Sequence, residues 1–393
     1  MQTLSGEEFA ENSRIARLLL QNASVQILFF VNWQKVYLMK PWRALKYLIA
    51  FTAPMTVWIA FRSHGWLTFL PVIYAFLVIP FLELFFKPSA KNLSDAEVEV
   101  AANDPLYDLV LYLSLPVLYY LLWLFLHKVA KGGYTTTDLV GYTLSMGLMC
   151  GIFGINVAHE LGHRKSWFAK TIAKTQLLSS LYMHFFIEHN RGHHKRVGTR
   201  EDPASARMGE SIYKFWIRTV WFSYWSAWML EKKRLKKAGH HFFSVYNEMI
   251  IYHLLELTLL WSVYKAFGGL ATMCFLGAAL MGILLLETVN YIEHYGLMRK
   301  QNAEGNYEKV MHYHSWNSDH VIGRLMLFEL SRHSDHHYKA SKPFQLLRHF
   351  ESSPQMPTGY PGMMLLTLFP PIWFYVMKRE FKRQIIVPET LST

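Results

Sequence analysis

The sequence predicts an all-α integral membrane protein with about six transmembrane helices and a histidine-rich helical cap on the cytoplasmic side. Three observations predict it. Apolar residues gather in blocks of membrane-spanning length, lysine and arginine crowd one set of the connecting segments, and histidines cluster in three short boxes within those segments.

Of the 393 residues, 52% are apolar and 16% aromatic, a composition that points to lipid as the solvent. A helix needs about 20 apolar residues to cross a hydrocarbon core. Six blocks approach that length: residues 44–62, 66–86, 108–129, 137–157, 247–266 and 269–291. They are apolar on every side, whereas a helix at the surface of a soluble protein carries an apolar stripe of period 3.6. Residues 18–31 are apolar but short, and are expected to form an interfacial or packed helix rather than a further span. Residues 1–14 lack the basic start and apolar core of a secretory signal, so the first span is expected to act as its own address.

The net charge of +12 does not indicate nucleic acid, because the basic residues follow the spans. Lys35, Lys40, Arg43, Lys46, Lys87 and Lys91 flank them, and others fill residues 158–246 and the C-terminal segment. This is the positive-inside pattern, and it marks those segments as cytoplasmic. Glu231 and the basic residues from Lys232 to Lys237 read as a solvated helix face. Residues 320–330 read as a short apolar helix, and 359–377, with Pro361, Pro370 and Pro371, as a surface-lying or broken one.

The two cysteines, Cys150 and Cys274, lie inside apolar blocks and no CxxC occurs. Cysteine-ligated iron and zinc-ribbon sites are therefore excluded on this chain, and any redox partner is a separate protein.

Eight of the 19 histidines fall in three boxes: His159-x3-His163, His189-x3-His193-His194 and His333-x2-His336-His337. Residues three or four apart share a helix face, so two imidazoles per turn can converge on one ion. The doubled histidine adds a ligand about 100° away that can reach a second ion. Eight imidazoles exceed the capacity of a single four- to six-coordinate ion, so the cap is expected to hold a dimetal site. Imidazole alone does not name the metal, but a greasy substrate between spans calls for a redox metal rather than zinc.

Two competing readings are weaker. His159-Glu160-Leu161-Gly162-His163 is also an HExxH zinc-protease motif, but that chemistry leaves the other boxes unused. A metal transporter needs a polar path through the spans, for which Glu83, Glu256 and Glu287 are too few and too scattered.

The stretches HELGHRK at 159–165, FFIEHNRGHHKRVGTREDPASARMGESIYKF at 185–215, NYIEHYGL at 290–297, HSWNSDH at 314–320 and LSRHSDHH at 330–337 resemble the membrane alkane 1-monooxygenases. Those proteins lie within the wider histidine-box desaturase and hydroxylase superfamily. The resemblance implies terminal hydroxylation of medium- to long-chain n-alkanes with O2 at two iron ions. It implies electrons from a rubredoxin and its NAD(P)H-dependent reductase, and His294 as a ninth ligand. A desaturase or hydroxylase of fatty acyl or aromatic side chains is the related alternative. Glu160, Asp202, Glu293 and Asp335, beside the ligands, are expected to accept imidazole N–H bonds. By the same resemblance, Trp58 is expected to gate the substrate channel.

Overall fold

The computed structural model describes residues 42–385. The stretch 18–31 and the basic residues Lys35 and Lys40 lie outside them. Among the described residues the secondary structure is helical, with isolated bridges in place of strands.

Helix α1 runs through Trp42–Leu45, a 3-10 stretch Lys46–Phe51 and Thr52–Ala60. It is followed by α2 (Gly65–Glu83), α3 (Asp95–Asn103), α4 (Leu106–Lys131), α5 (Thr136–Gly162) and α6 (Trp167–Leu178). Box two lies on α7, residues 185–196, which leads to α8 (Ile212–Lys237) and α9 (Glu248–His294). Short helices α10 (Val321–Met326) and α11 (His333–Tyr338) precede α12 (Tyr360–Thr367) and α13 (Pro370–Gln384). The apolar segment 359–377 is thus a broken helix, interrupted before Pro370 and Pro371.

Four helices, α2, α4, α5 and α9, are long and apolar enough to cross a membrane. Helix α1, with Arg43 and Lys46 near its start, is less apolar and is not among them. The 47 residues of α9 form two arms that meet at Gly268, where φ is +80° and ψ is 176°. Glycine tolerates that left-handed backbone because it has no Cβ. The arms fold back on each other, since Glu248 at one end and His294 at the other both touch the cap.

Small residues let the long helices approach. A Cβ on Gly147 of α5 would lie 2.5 Å from Met281 Cβ of α9, and one on Gly282 of α9 would lie 2.7 Å from Cys150 Cβ. Lipid offers no hydrophobic drive between apolar helices, so such backbone proximity supplies the dispersion contacts that hold them.

Polar contacts then fasten helix ends on one side of the bundle to a single cap. Tyr47 donates to Glu329 at 2.8 Å, Glu83 accepts from the Gly323 N–H at 3.0 Å, and Arg164 pairs with Asp108 at 3.1 Å. Glu231 departs from the solvated face expected of its segment. It is fully buried and accepts from Arg191, Arg234 and the Glu248 N–H. A carboxylate so placed ties α8 to α7 and α9, whereas its neighbours Lys232 and Lys233 face outward.

Candidate metal centre

Separate elements bring the boxes to one place. Box one ends α5, box two lies on α7, box three opens α11, and His294 closes α9. His159, His163, His189, His194 and His336 form one cluster, and His193, His294, His333 and His337 form a second. Within each, the candidate ligand atoms lie within 4.8 Å of one another.

The partition does not follow the four-residue spacing in box two. His189 and His194 approach to 2.9 Å between their Nε2 atoms, while His193 turns to the second cluster, 3.2 Å from His337 Nε2. The turn His189–His193 is π-helical, so its repeat is i→i+5 and His194 returns over His189. Box three is α-helical, and there His333 and His337, four apart, stay together. His336 crosses to the first cluster, 3.2 Å from His194 Nε2.

These nitrogens fit a metal better than each other. His163, His189 and His194 present three Nε2 atoms mutually 2.9–3.1 Å apart, which single ring protons cannot satisfy pairwise. Two imidazoles at right angles, each about 2.1 Å from one ion, would lie about 3.0 Å apart. Burial pushes His189, His194, His333, His336 and His337 well below the ordinary imidazole range, and His163 to about 3. The rings are neutral and keep the lone pair a metal needs.

The acidic neighbours divide. Asp202 accepts from His193 Nδ1 at 2.9 Å and from Ser205 Oγ at 2.6 Å. Burial works to lower His193, yet the carboxylates of Asp202, Glu188 and Glu287, Asp202 foremost, together raise the imidazole above its ordinary value. That bond fixes the tautomer and aims Nε2 inward. Glu293 accepts from the Tyr360 hydroxyl at 2.8 Å and places its other oxygen 3.1 Å from His333 Nε2, on the side where the second cluster converges. Its orientation differs from the expected contact through the outer ring nitrogen. Glu160 instead meets Arg164 at 3.0 Å and the Phe344 N–H at 3.1 Å. Asp335 meets Lys342 and the Arg348 N–H. Neither carboxylate bonds a box imidazole.

A narrow apolar cavity of about 100 Å³ runs from the clusters into the helical bundle. His159, His189, His333 and Glu293 stand in its wall, as do Leu148 and Ile152 of α5, Tyr74 of α2 and Met364 of α12. Sequence spacing carried no signal for the contributions of α2 and α12. Trp58 is not in that wall. It lies 38% exposed, with the Arg62 guanidinium stacked 3.7 Å over its ring. On another face a groove of about 680 Å³ is lined by Arg196, Arg200, Lys232, Lys233, Lys236 and Asp202.

A bundle of membrane-length helices capped by paired imidazole clusters defines a histidine-box membrane protein, and the fatty acid desaturase family model matches residues 137–367. The chain belongs to that superfamily and, within it, to the alkane 1-monooxygenase family. It is 41% identical to alkane 1-monooxygenase 1 of Pseudomonas aeruginosa over 335 residues, covering 84% of this chain and 87% of that protein. It is 39% identical to an alkane 1-monooxygenase of Acinetobacter baylyi, over 78% of this chain and 75% of the relative. A more distant relative, 29% identical over 69% of this chain and 73% of its own length, is the hydroxylase component of a Pseudomonas putida xylene/toluene monooxygenase.

Proposed function

We propose that this chain hydroxylates the terminal methyl group of medium- to long-chain n-alkanes, using two iron ions held by the nine clustered histidines, O2, and electrons from a rubredoxin served by an NAD(P)H-dependent reductase. The single observation that carries the proposal is the junction of the apolar cavity with both clusters at His159, His189, His333 and Glu293. The overall change is R–CH3 + O2 + 2 e⁻ + 2 H⁺ → R–CH2OH + H2O.

When bound, the ions supply the activation of O2, which is the part of the chemistry no side chain here performs. The protein's own work is positioning. Leu148, Ile152 and Tyr74 exclude water from the chain and direct one end toward His159 and His333. Asp202 holds His193 in one tautomer, and Tyr360 steadies the Glu293 carboxylate beside His333. Electrons arrive from outside, since the only cysteines are Cys150 and Cys274. The basic groove supports docking of an acidic donor, and Arg196, Arg200, Lys232, Lys233 and Lys236 all line this one surface. In this reading six spans cross the bacterial inner membrane, over the intervals given by the hydropathy blocks, and the cap faces the cytoplasm.

The test is to purify the protein, count iron per chain, and assay an n-alkane series with rubredoxin, its reductase and NADH. Two irons and 1-alcohol products without alkenes are expected. Alkene products would move the chain to a desaturase reaction. The xylene/toluene relative supports a second reading, oxidation of aromatic methyl groups at the same centre. Faster turnover of toluene than of any n-alkane would establish it.

A further inference from the structure

The far end of the cavity can be located from the packing of α2 and α5. The α5 residues Leu148, Met149, Gly151, Ile152, Asn156 and His159 form one stripe in the cavity wall, within which Cys150–Asn156 is π-helical. From His159 to Leu148 the stripe spans 11 residues; an unbroken α-helix of that length would rise about 16 Å, and the π-helical turn Cys150–Asn156 within it makes the depth shorter than that. Below Leu148 the seam closes. Ser145 Oγ donates to the Thr68 carbonyl at 2.7 Å, and Tyr142 donates to the Ser63 carbonyl at 2.6 Å. A Cβ on Gly141 would lie 2.6 Å from Thr68 Cβ, so the helices touch backbone to side chain. On α2 the wall begins at Pro71, about one turn beyond Thr68.

We infer that Leu148 is the floor of the substrate cavity and sets the longest n-alkane whose terminal methyl still reaches the clusters. The inference rests on the alkane reading above. Leu148 is nearly fully buried and is the last stripe residue before the clamped turn. A chain too long for that depth must fold, or leave its methyl group short of His159 and His333. Trp58 has no such hold on length, because its ring lies outside the wall and the α1 residue that lines the cavity is Ala53.

The test uses the iron-loaded full chain with Leu148→Ala, Leu148→Phe and Trp58→Ser, each checked for iron content and for its unfolding temperature. Two series are read: kcat/KM across n-alkanes of increasing length, and the thermal stabilisation each alkane confers without electron donor. Leu148→Ala should raise the long-to-short ratio in both series and Leu148→Phe should lower it, by about tenfold or more in kcat/KM. Trp58→Ser should leave both series as in the unaltered protein. An iron-replete Leu148 pair with an unchanged profile overturns the inference, as does a length shift confined to Trp58→Ser. If the unaltered protein oxidises no alkane, the alkane reading fails, and the stabilisation series still decides whether Leu148 limits length.

Discussion

The two histidine clusters are unlike. The first has five imidazoles, and among the described residues none lies within 4.0 Å of a carboxylate. The second has four, all buried, with Asp202 behind His193 and Glu293 beside His333. A carboxylate on an imidazole N–H raises the basicity of the ligating nitrogen, and a buried carboxylate next to the ligands favours positive charge on whatever they hold. Two ions bound here would therefore differ in affinity and potential, although nearly every protein donor is the same chemical group. What distinguishes the sites lies one contact beyond the ligands.

The most severe way to probe that difference is to delete ligands. Alanine at His159, His163, His189, His194 or His336 should lower iron from two toward one per chain and abolish hydroxylation. Alanine at His193, His294, His333 or His337 should do the same from the other site. Alanine at His64 or His127, which lie in neither cluster, should keep both iron and activity. Metal analysis and product assays read the result, and an active, iron-replete His336→Ala protein would dismantle the two-cluster assignment.

A smaller effect is expected where the clusters differ. Asp202→Asn and Glu293→Gln should weaken iron binding or activity by about 10–100-fold, with the loss confined to the second cluster. Glu160→Gln and Asp335→Asn should retain iron, because their carboxylates serve Arg164 and Phe344 on one side and Lys342 and Arg348 on the other. Their cost should appear as lost stability of about 1–3 kcal/mol in thermal unfolding. Equal iron loss from all four substitutions would mean that the carboxylates do not separate the sites.

Much of this was legible in the residues alone, for physical reasons. Hydropathy marked the long helices because lipid demands continuous apolar surface, and the interval between blocks 247–266 and 269–291 coincides with the break at Gly268. The box histidines stood out because their spacing repeats a helical turn. Their pairing did not, since a π-helical turn at His189–His193 shifts the register by one and no composition rule announces it. Nor could adjacency in sequence say where a carboxylate points. Neighbouring helix positions diverge by about 100°, so Glu160 beside His159 swings to Arg164, whereas Glu293 beside His294 reaches His333 of another element. The cavity was illegible for a similar reason, because α2 and α12 contribute to its wall only through tertiary packing.

The mildest expected effect concerns how electrons reach this unequal pair. Asp202 bonds His193 of the second cluster and also lines the basic groove, so the groove lies one contact from that cluster. Reversing charge at Lys232, Lys233 and Lys236 should slow rubredoxin-limited turnover several-fold at low salt while leaving iron content intact, since rim charges act mainly on association rate. Charges more than about 8 Å apart are largely screened at physiological ionic strength, so the difference between variant and parent should shrink as salt is added. Rapid single-turnover reduction, followed over a salt series, measures it directly. The same substitutions should not alter the alkane length profile, because the groove and the cavity share no lining residue. A reduction rate indifferent to both salt and charge reversal would place the donor on an apolar surface instead, and turnover with NADH and O2 alone would show that no separate donor is needed.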